Sequence, residues 1–224
     1  MKKIVFLLVL IFSALQQSVC AQQTIRDVGD FTALRVFDKI PVTLISSSES
    51  KVEVSGIKHE DVEIINKNGE LKIRMIPLKF LSGDDVTVKV YYEKLDDIQA
   101  SEGAVIKGSG KIDADLLSLN AKEGAKIEVK VNVRKINAKV NSGGGIIVSG
   151  EAEDQDIVIT SGGRYDAKNI LSDRVTVAVN AGGSAIVHAS DQVDAKTRAG
   201  GNIDIYGGAK VSQKTFAGGT ITVH

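Results

Sequence analysis

A glycine-rich phrase returns at nearly constant intervals through residues 100–224 of this 224-residue chain. It first reads Ser101-Glu102-Gly103-Ala104, and small residues flank the glycines throughout. One glycine of each phrase serves as an anchor, and the anchors are Gly103, Gly124, Gly144, Gly163, Gly183, Gly201 and Gly219. They lie 18 to 21 residues apart, although the glycine run at 143–145 lets the third anchor shift by one. A fixed period of about 20 residues predicts a stacked solenoid.

Each period holds two short segments in which apolar and polar residues alternate. One follows the glycines, as in Asn202–Ile205, and the other precedes them, as in Val175–Val179. Alternation with β-branched residues and glycine punctuation is typical of strands. Helical repeats need about 33 residues or more, and the leucine-rich-repeat phrase is missing. The sequence therefore predicts an all-β fold, a parallel β-helix with coils of about 20 residues.

The anchor glycines have a structural role in this prediction. Tight corners between sheets need residues at positive φ, which glycine adopts without a steric penalty. Small neighbours let successive coils stack about 4.8 Å apart. We therefore expect the seven anchors to be turn glycines at the corners of the solenoid.

The chain before the repeats also reads as β-structure, with weaker repetition. Candidate strands lie at Phe31–Val36, Ile40–Ile45 and Val86–Tyr92, and Asn68-Gly69 is a turn signal between two others. No linker rich in Pro, Gly or Ser divides the two halves. We expect residues 22–99 to be a β-rich half continuous with the repeats at 100–224, after a signal peptide at 1–21.

The first 21 residues have the features of a secretory signal peptide. Two lysines precede the apolar run Ile4–Leu15, and small residues follow it. Cleavage before Gln22 fits the residues better than acylation of Cys20, because Val19 is a poor residue before a lipid-bearing cysteine. Cleavage removes the only cysteine, so neither a disulfide scaffold nor a multi-cysteine zinc site is expected. The exported chain would be periplasmic, bound to the outer membrane, or extracellular.

Several segments resemble one bacterial family. They are Phe31–Leu44, Lys51–Gly56, Asn68–Ile73, Val86–Val90 and the glycine-rich coils from Ser101 onward. The family is the "putative auto-transporter adhesin, head GIN domain" group, and the resemblance covers Thr24 to His224. It implies a right-handed, single-stranded β-helix in the envelope or exterior of Gram-negative bacteria. It transfers no catalytic residue, because the family has no established catalytic motif.

Two sets of residues are candidates for ligand contact. Four carboxylates lie within six residues, at Glu151, Glu153, Asp154 and Asp156, and could form a weak cation or ligand site in a turn. The segment lacks the glycine that calcium loops require, and acidic residues are ordinary in turns. Tyr165 and Tyr206 are the aromatic side chains of the repeats that could stack on a sugar. We expect no catalytic, metal or cofactor site.

The balance of charges bears on which class of partner the protein could bind. Basic and acidic residues number 28 each, and such balance argues against a nucleic-acid binder. No second apolar stretch could cross a membrane. We predict an exported, non-enzymatic β-solenoid that presents a regular surface to an envelope protein or a glycan, with self-association between exposed sheets also open. Two alternatives remain: a polysaccharide lyase or hydrolase using turn carboxylates, and a periplasmic structural or assembly factor.

Overall fold

The structure is a computed structural model that describes residues 23–224, so the predicted signal peptide and Cys20 lie outside the described residues. Within these residues there are three short 3-10 helices, at His59–Asp61, Pro77–Lys79 and Gly83–Asp85. No helix within residues 23–224 has the length and apolarity to cross a membrane. The strands are β1 (Gln23–Asp27), β2 (Ala33–Val36), β3 (Pro41–Ser46), β4 (Lys51–Gly56), β5 (Val62–Lys67), β6 (Glu70–Met75), β7 (Val86–Tyr92), β8 (Asp97–Ala100), β9 (Val105–Ala121), β10 (Lys126–Val140), β11 (Gly145–Ile159), β12 (Arg164–Asn180), β13 (Ser184–His188), β14 (Gln192–Arg198), β15 (Gly201–Tyr206), β16 (Lys210–Phe216) and β17 (Gly219–Val223).

From β8 onward the chain stacks coil upon coil with parallel pairing. β10 pairs with β9 on one side and β11 on the other; the register with β11 is continuous, and the register with β9 shifts once, between Glu128 and Lys130. Ile127 therefore lies between Ile106 and Ile146, and all three are fully buried. Such columns of aliphatic side chains fill the interior of the solenoid and exclude water from it. The predicted parallel β-solenoid is confirmed.

The strands differ from the prediction in length. β9 to β12 each have 15 or 17 residues and contain both of the segments expected as separate strands. The strand bends midway while its backbone stays paired to the coil below and above. At Glu153 and Asp154 the alternation of buried and exposed residues is interrupted, so that two neighbouring residues both face outward. The two halves of a strand therefore belong to different faces of the solenoid.

Each coil turns at a two-residue corner in which both central residues have positive φ. In the corner Asn141–Gly144, Ser142 has φ 47°, Gly143 has φ 73°, and the N–H of Gly144 donates to the carbonyl of Asn141 at 2.8 Å. This is the geometry of a type I′ turn. The second central residue is glycine in every repeat corner, and these glycines are Gly103, Gly124, Gly143, Gly162, Gly182, Gly200 and Gly218.

The expected turn glycines are thus correct in the first two repeats and wrong by one residue in the next four. Gly144, Gly163, Gly183 and Gly201 follow the corner and do not have positive φ. They serve a different purpose, because a Cβ on Gly144 would lie 2.3 Å from the carbonyl oxygen of Ala121 in the coil beneath. Gly219 combines both properties, with φ 118° and a Cβ position 2.6 Å from the oxygen of Gly201.

Hydrogen bonds also run from corner to corner along the stack. The N–H of Gly124 donates to the carbonyl of Ser142 at 3.1 Å, and that of Gly143 donates to Ser161 at 3.1 Å. The ladder begins in the first half of the chain, where Lys39 N–H donates to Glu102 at 2.9 Å. Corner backbone groups that would otherwise be unpaired therefore bond to the next coil.

The first half of the chain joins this stack out of sequence order. β2 pairs in parallel with β6 and β8, and β3 pairs in parallel with β7 and β9. The β2–β3 coil therefore lies between the β6–β7 coil and the first repeat. Beyond β6 and β7 the pairing becomes antiparallel, with β5 on β6, β4 on β7 and β1 on β4.

Candidate functional site

A shallow depression of about 360 Å³ opens where β10, β11 and β12 bend. The register between β11 and β12 shifts between Ile147 and Ser149, so the later coil carries an extra residue at this point. We call this surface the acidic depression. It is lined by Asn132, Val133, Glu151, Ala152, Glu153, Leu171, Ser172, Asp173, His188 and Ser190.

Three carboxylates give the depression its charge. Glu151, Glu153 and Asp173 come from two neighbouring coils, and the lining residues named above include no lysine or arginine. Ser190 Oγ donates to Asp173 at 3.2 Å, which leaves most of the carboxylate oxygens available to accept other hydrogen bonds. The exposed side chain of Leu171 adds an apolar contact at the edge. The surface can accept hydrogen bonds from hydroxyl or amino groups.

A buried chain of hydrogen bonds lies behind the depression. Tyr165 donates its hydroxyl proton to Gln155 Oε1 at 2.7 Å, and Gln155 Nε2 donates to Ser172 Oγ at 2.8 Å. Ser172 in turn donates to the backbone carbonyl of His188. All three side chains are buried, and burial raises the pKa of Tyr165 far above its ordinary value. The chain of bonds fixes the wall of the depression from inside.

Tyr165 is therefore not the exposed ligand contact that the sequence suggested. Its side chain is fully buried because it occupies the inward column that Ile127 and Ile146 fill in the preceding coils. The small Ala185 stands beside it in the next coil and leaves room for the ring. Tyr165 is buried because the position two residues after each corner glycine pair points into the core.

His188 provides a polar atom without a partner. Within the part of the chain that the structure describes, its Nδ1 is shielded from solvent and makes no hydrogen bond. An unpaired and desolvated nitrogen costs free energy.

The four candidate carboxylates do not form one site. They lie in the middle of β11 rather than in a turn, and the bend of that strand separates Glu151 and Glu153 from Asp154 and Asp156. The second pair is neutralised by ion pairs to cations of adjacent coils, Arg174 with Asp154 at 2.7 Å and Lys135 with Asp156 at 2.5 Å. Within residues 23–224, no group of three His, Cys, Asp or Glu side chains is close enough to hold a metal ion.

Tyr206 lies at the surface, but its ring is covered on the sides that face along the stack. The ammonium group of Lys168 lies 4.8 Å from the ring centroid, and the ring of His224 stacks at 4.2 Å with a 4° interplanar angle. His224 is held in turn by Asp204, whose Oδ1 lies 2.8 Å from Nε2. A role for Tyr206 in ligand contact stays a prediction, and it would use the ring edge and hydroxyl rather than a free face.

Four residues of the acidic depression were not predicted from the sequence: Leu171, Asp173, His188 and Ser190. They belong to later coils than the carboxylates they accompany, so their proximity depends on the register of stacking. Glu151 pairs with Leu171 across that register. Aligning the coils by either corner glycine would place Ile170 opposite Glu151, and only the extra residue of β12 makes Leu171 the partner.

Stacked parallel coils, two-residue corners and a shallow polar surface place this chain among the parallel β-solenoid proteins. The chain belongs to the family "Putative auto-transporter adhesin, head GIN domain", whose model matches residues 30–209. The resemblance noted from the sequence is thereby confirmed. No curated protein matches the chain.

Solved structures share this fold at low sequence identity. A "putative adhesin" from Bacteroides fragilis is similar with a TM-score of 0.82 and 15% identity, over 92% of this chain and 97% of that one. A second "putative adhesin", from Parabacteroides distasonis, has a TM-score of 0.73 and 24% identity, over 90% and 95% of the two chains. At these identities the likeness establishes the fold alone.

Proposed function

We propose that the protein is an exported, non-enzymatic binding module, and that the acidic depression is where it contacts its ligand. The observation that carries this proposal is the joining of three carboxylates with Ser190 and the exposed Leu171 in one concave surface. Membership of an adhesin-type family supports a role in adhesion and export to the envelope or exterior. The predicted signal peptide supports the same compartment.

The lining favours a glycan as the ligand. Carboxylates accept hydrogen bonds from sugar hydroxyls, and Ser190 and Asn132 can both donate and accept. Leu171, with 64% of its surface exposed, offers an apolar contact for the C–H face of a sugar ring. The depression is shallow, as expected for a chain-like ligand that lies across several coils.

The alternative of glycoside hydrolysis or lysis is less well supported. Hydrolysis needs two carboxylic groups that flank the scissile bond, one of them protonated to act as the acid, and a lyase needs a basic group as well. Asp154 and Asp156 have basic neighbours, but both are held in ion pairs. The carboxylates of the acidic depression have no lysine or arginine among the lining residues.

The test compares ligand capture by the wild type with capture by Glu151→Gln/Glu153→Gln. We expect the wild type to retain polar glycans on an array and the variant to lose at least about tenfold in affinity, because charged acceptors make stronger hydrogen bonds than amides. The matched control Glu123→Gln/Glu128→Gln removes two exposed carboxylates outside the depression. Capture of an envelope protein instead, or equal losses in both variants, would refute the proposed ligand site.

A further inference from the structure

Four strands within residues 23–224 pair with a neighbour on one side only, and β17 differs from the other three. β1 pairs only with β4, β5 only with β6, β16 only with β14 and β17 only with β15. An uncovered strand edge presents unpaired N–H and C=O groups, and charged residues are a common protection against association there. The three other edge strands carry two charged residues each, which are Arg26, Asp27, Glu63, Lys67, Lys210 and Lys214. β17 carries none, so its edge lacks this protection.

Two apolar columns of the solenoid interior also reach β17 without being covered there. Ile203 and Ile205 of β15 are each 1% exposed. Their partners in β17 are Ile221, which is only partly buried, and Val223, which is 53% exposed. One further strand laid on β17 would cover both columns and remove this apolar surface from water.

The unpaired backbone groups of β17 are symmetric about Ile221. The N–H of His224 donates to the carbonyl of Ile205 at 2.9 Å. The backbone groups of successive residues in a parallel strand point alternately to its two sides, so Thr220 and Thr222 also bond to β15. The backbone groups that point away from the stack belong to Gly219, Ile221 and Val223.

We propose that β17 pairs antiparallel with β17 of a second copy of this chain, about a two-fold axis at Ile221. This register places Ile221 opposite its own copy and Gly219 opposite Val223, so each outward residue exchanges two hydrogen bonds with another. Directly opposite residues share a face of the sheet, so both Ile221 side chains extend the interior column and each Val223 side chain covers a glycine. Thr220 lies opposite Thr222 on the solvent face. An isologous contact of this kind closes as a dimer.

The neighbouring edge strand does not offer the same match. Self-pairing of β16 about Gln213 would bring Lys210 and Lys214 of both copies to one edge, where like charges repel. The contact therefore centres on one strand from each copy. Because so small an interface buries little area, the dimer should be weak and its population should depend on concentration.

The first experiment measures the dissociation constant of the dimer by sedimentation velocity of the processed chain. Loading concentrations run from about 1 to about 200 μM, the range suited to a small interface. Ile221→Pro removes an N–H that points away from β15, a position at which an edge strand accepts proline. We expect dimer affinity to fall by about 30-fold or more, since both hydrogen bonds of the central pair and two covered side chains are lost.

Gln213→Pro is the matched control. Its N–H also points away from the stack, because the N–H of Lys210 donates back to Asp191 and the direction alternates along β16. This variant should keep the dimer affinity of the wild type. Circular dichroism of both proline variants checks that the solenoid is folded.

Cysteine crosslinking tests the register of the pair. Every variant carries Cys20→Ser, which removes the one cysteine of the chain. Thr220→Cys chains mixed with Thr222→Cys chains should link in oxidised glutathione, because the Cα atoms of such opposite residues lie about 4.5 Å apart, within disulfide range. Either variant alone should link at least about tenfold less, since its two copies would lie on a diagonal.

Three outcomes would overturn the proposal. They are a monomer at every concentration, equal losses from the two proline variants, and equal linking in the mixed and single cysteine samples. The substituted positions of β16 and β17 lie outside the acidic depression, so ligand capture tests the proposed function separately.

Discussion

The first corner of the solenoid and the repeat corners have the same backbone shape but are stabilised differently. Asp38 and Lys39 have φ of 60° and 61°, close to the values of Ser142 and Gly143 in a repeat corner. In the repeats a glycine occupies the second of these positions. The first corner has no glycine and instead buries the carboxylate of Asp38, which accepts from the N–H groups of Met75 and Leu81 at 2.9 and 3.1 Å.

The difference shows that a repeat corner uses glycine at its second position, whereas hydrogen bonds to a buried side chain can replace that glycine at the first corner. In the repeats, strain at positive φ is avoided by residue choice, since glycine adopts this region freely. At the first corner, the hydrogen bonds that the N–H groups of Met75 and Leu81 donate to the Asp38 side chain compensate for the strain of two non-glycine residues. One polar side chain thus connects the corner to the loop that covers it.

The largest effect should come from the second glycine of a repeat pair. Gly144→Ala places a methyl group 2.3 Å from the carbonyl oxygen of Ala121, so the coils must separate. We expect a loss of about 3 kcal/mol or more in the free energy of unfolding, measured in urea. Gly143→Ala meets no atom within 4 Å and should cost only about 1 kcal/mol for its positive φ. Equal losses would show that the two glycines do not have separate roles.

Next in size is the removal of the buried carboxylate at the first corner. Asp38→Gly keeps a residue that accepts positive φ but leaves the N–H groups of Met75 and Leu81 without their acceptor. We expect a loss of about 2 to 3 kcal/mol in urea unfolding. A stability close to that of the wild type would mean that the backbone conformation, rather than the carboxylate, limits the first corner.

The smallest effect concerns the junction between the two regions. Burial raises the pKa of Glu102, and the carboxylates of Asp38 and Glu123 raise it further. A raised pKa in the folded state means that ionised Glu102 opposes folding, so its stabilising protonation is lost as the pH rises through the folded pKa. Glu102→Gln should therefore stabilise the protein by about 0.5 kcal/mol at pH 7. The gain should vanish below the ordinary glutamate pKa, and a gain that is the same at both pH values would contradict this account.

The repeat could be predicted from the sequence because its signal is periodic. Glycine spacing and alternating β-branched residues indicated stacked strands, and Asn68-Gly69 lies at the hairpin turn between β5 and β6 that its residue types favour. What a single phrase could not decide was which glycine of a pair has positive φ. Both fit a tight turn locally, and only the distance to the coil beneath distinguishes them.

The candidate site was harder to predict because it depends on contacts between coils. Glu151 to Asp156 read as an acidic turn, yet they alternate with the buried Ala152 and Gln155 along a bent strand. The sequence predicts an exposed Tyr165, although Ile127 and Ile146 occupy the same buried column two residues after the corner. Partners such as His188 come from another coil, and no local pattern relates them to the carboxylates.

The position of the β2–β3 coil has a consequence for the time course of folding. This coil is synthesised first, but both of its neighbours in the stack come later in the chain, β6 and β7 on one side and β8 and β9 on the other. It cannot be paired on both sides until residue 108 has left the ribosome or the secretion channel. Every later coil can pair at once with a coil that precedes it in the chain and has already been synthesised. Formation of the first 86 described residues should therefore be the slow, nucleating step, after which the remaining coils add in sequence order.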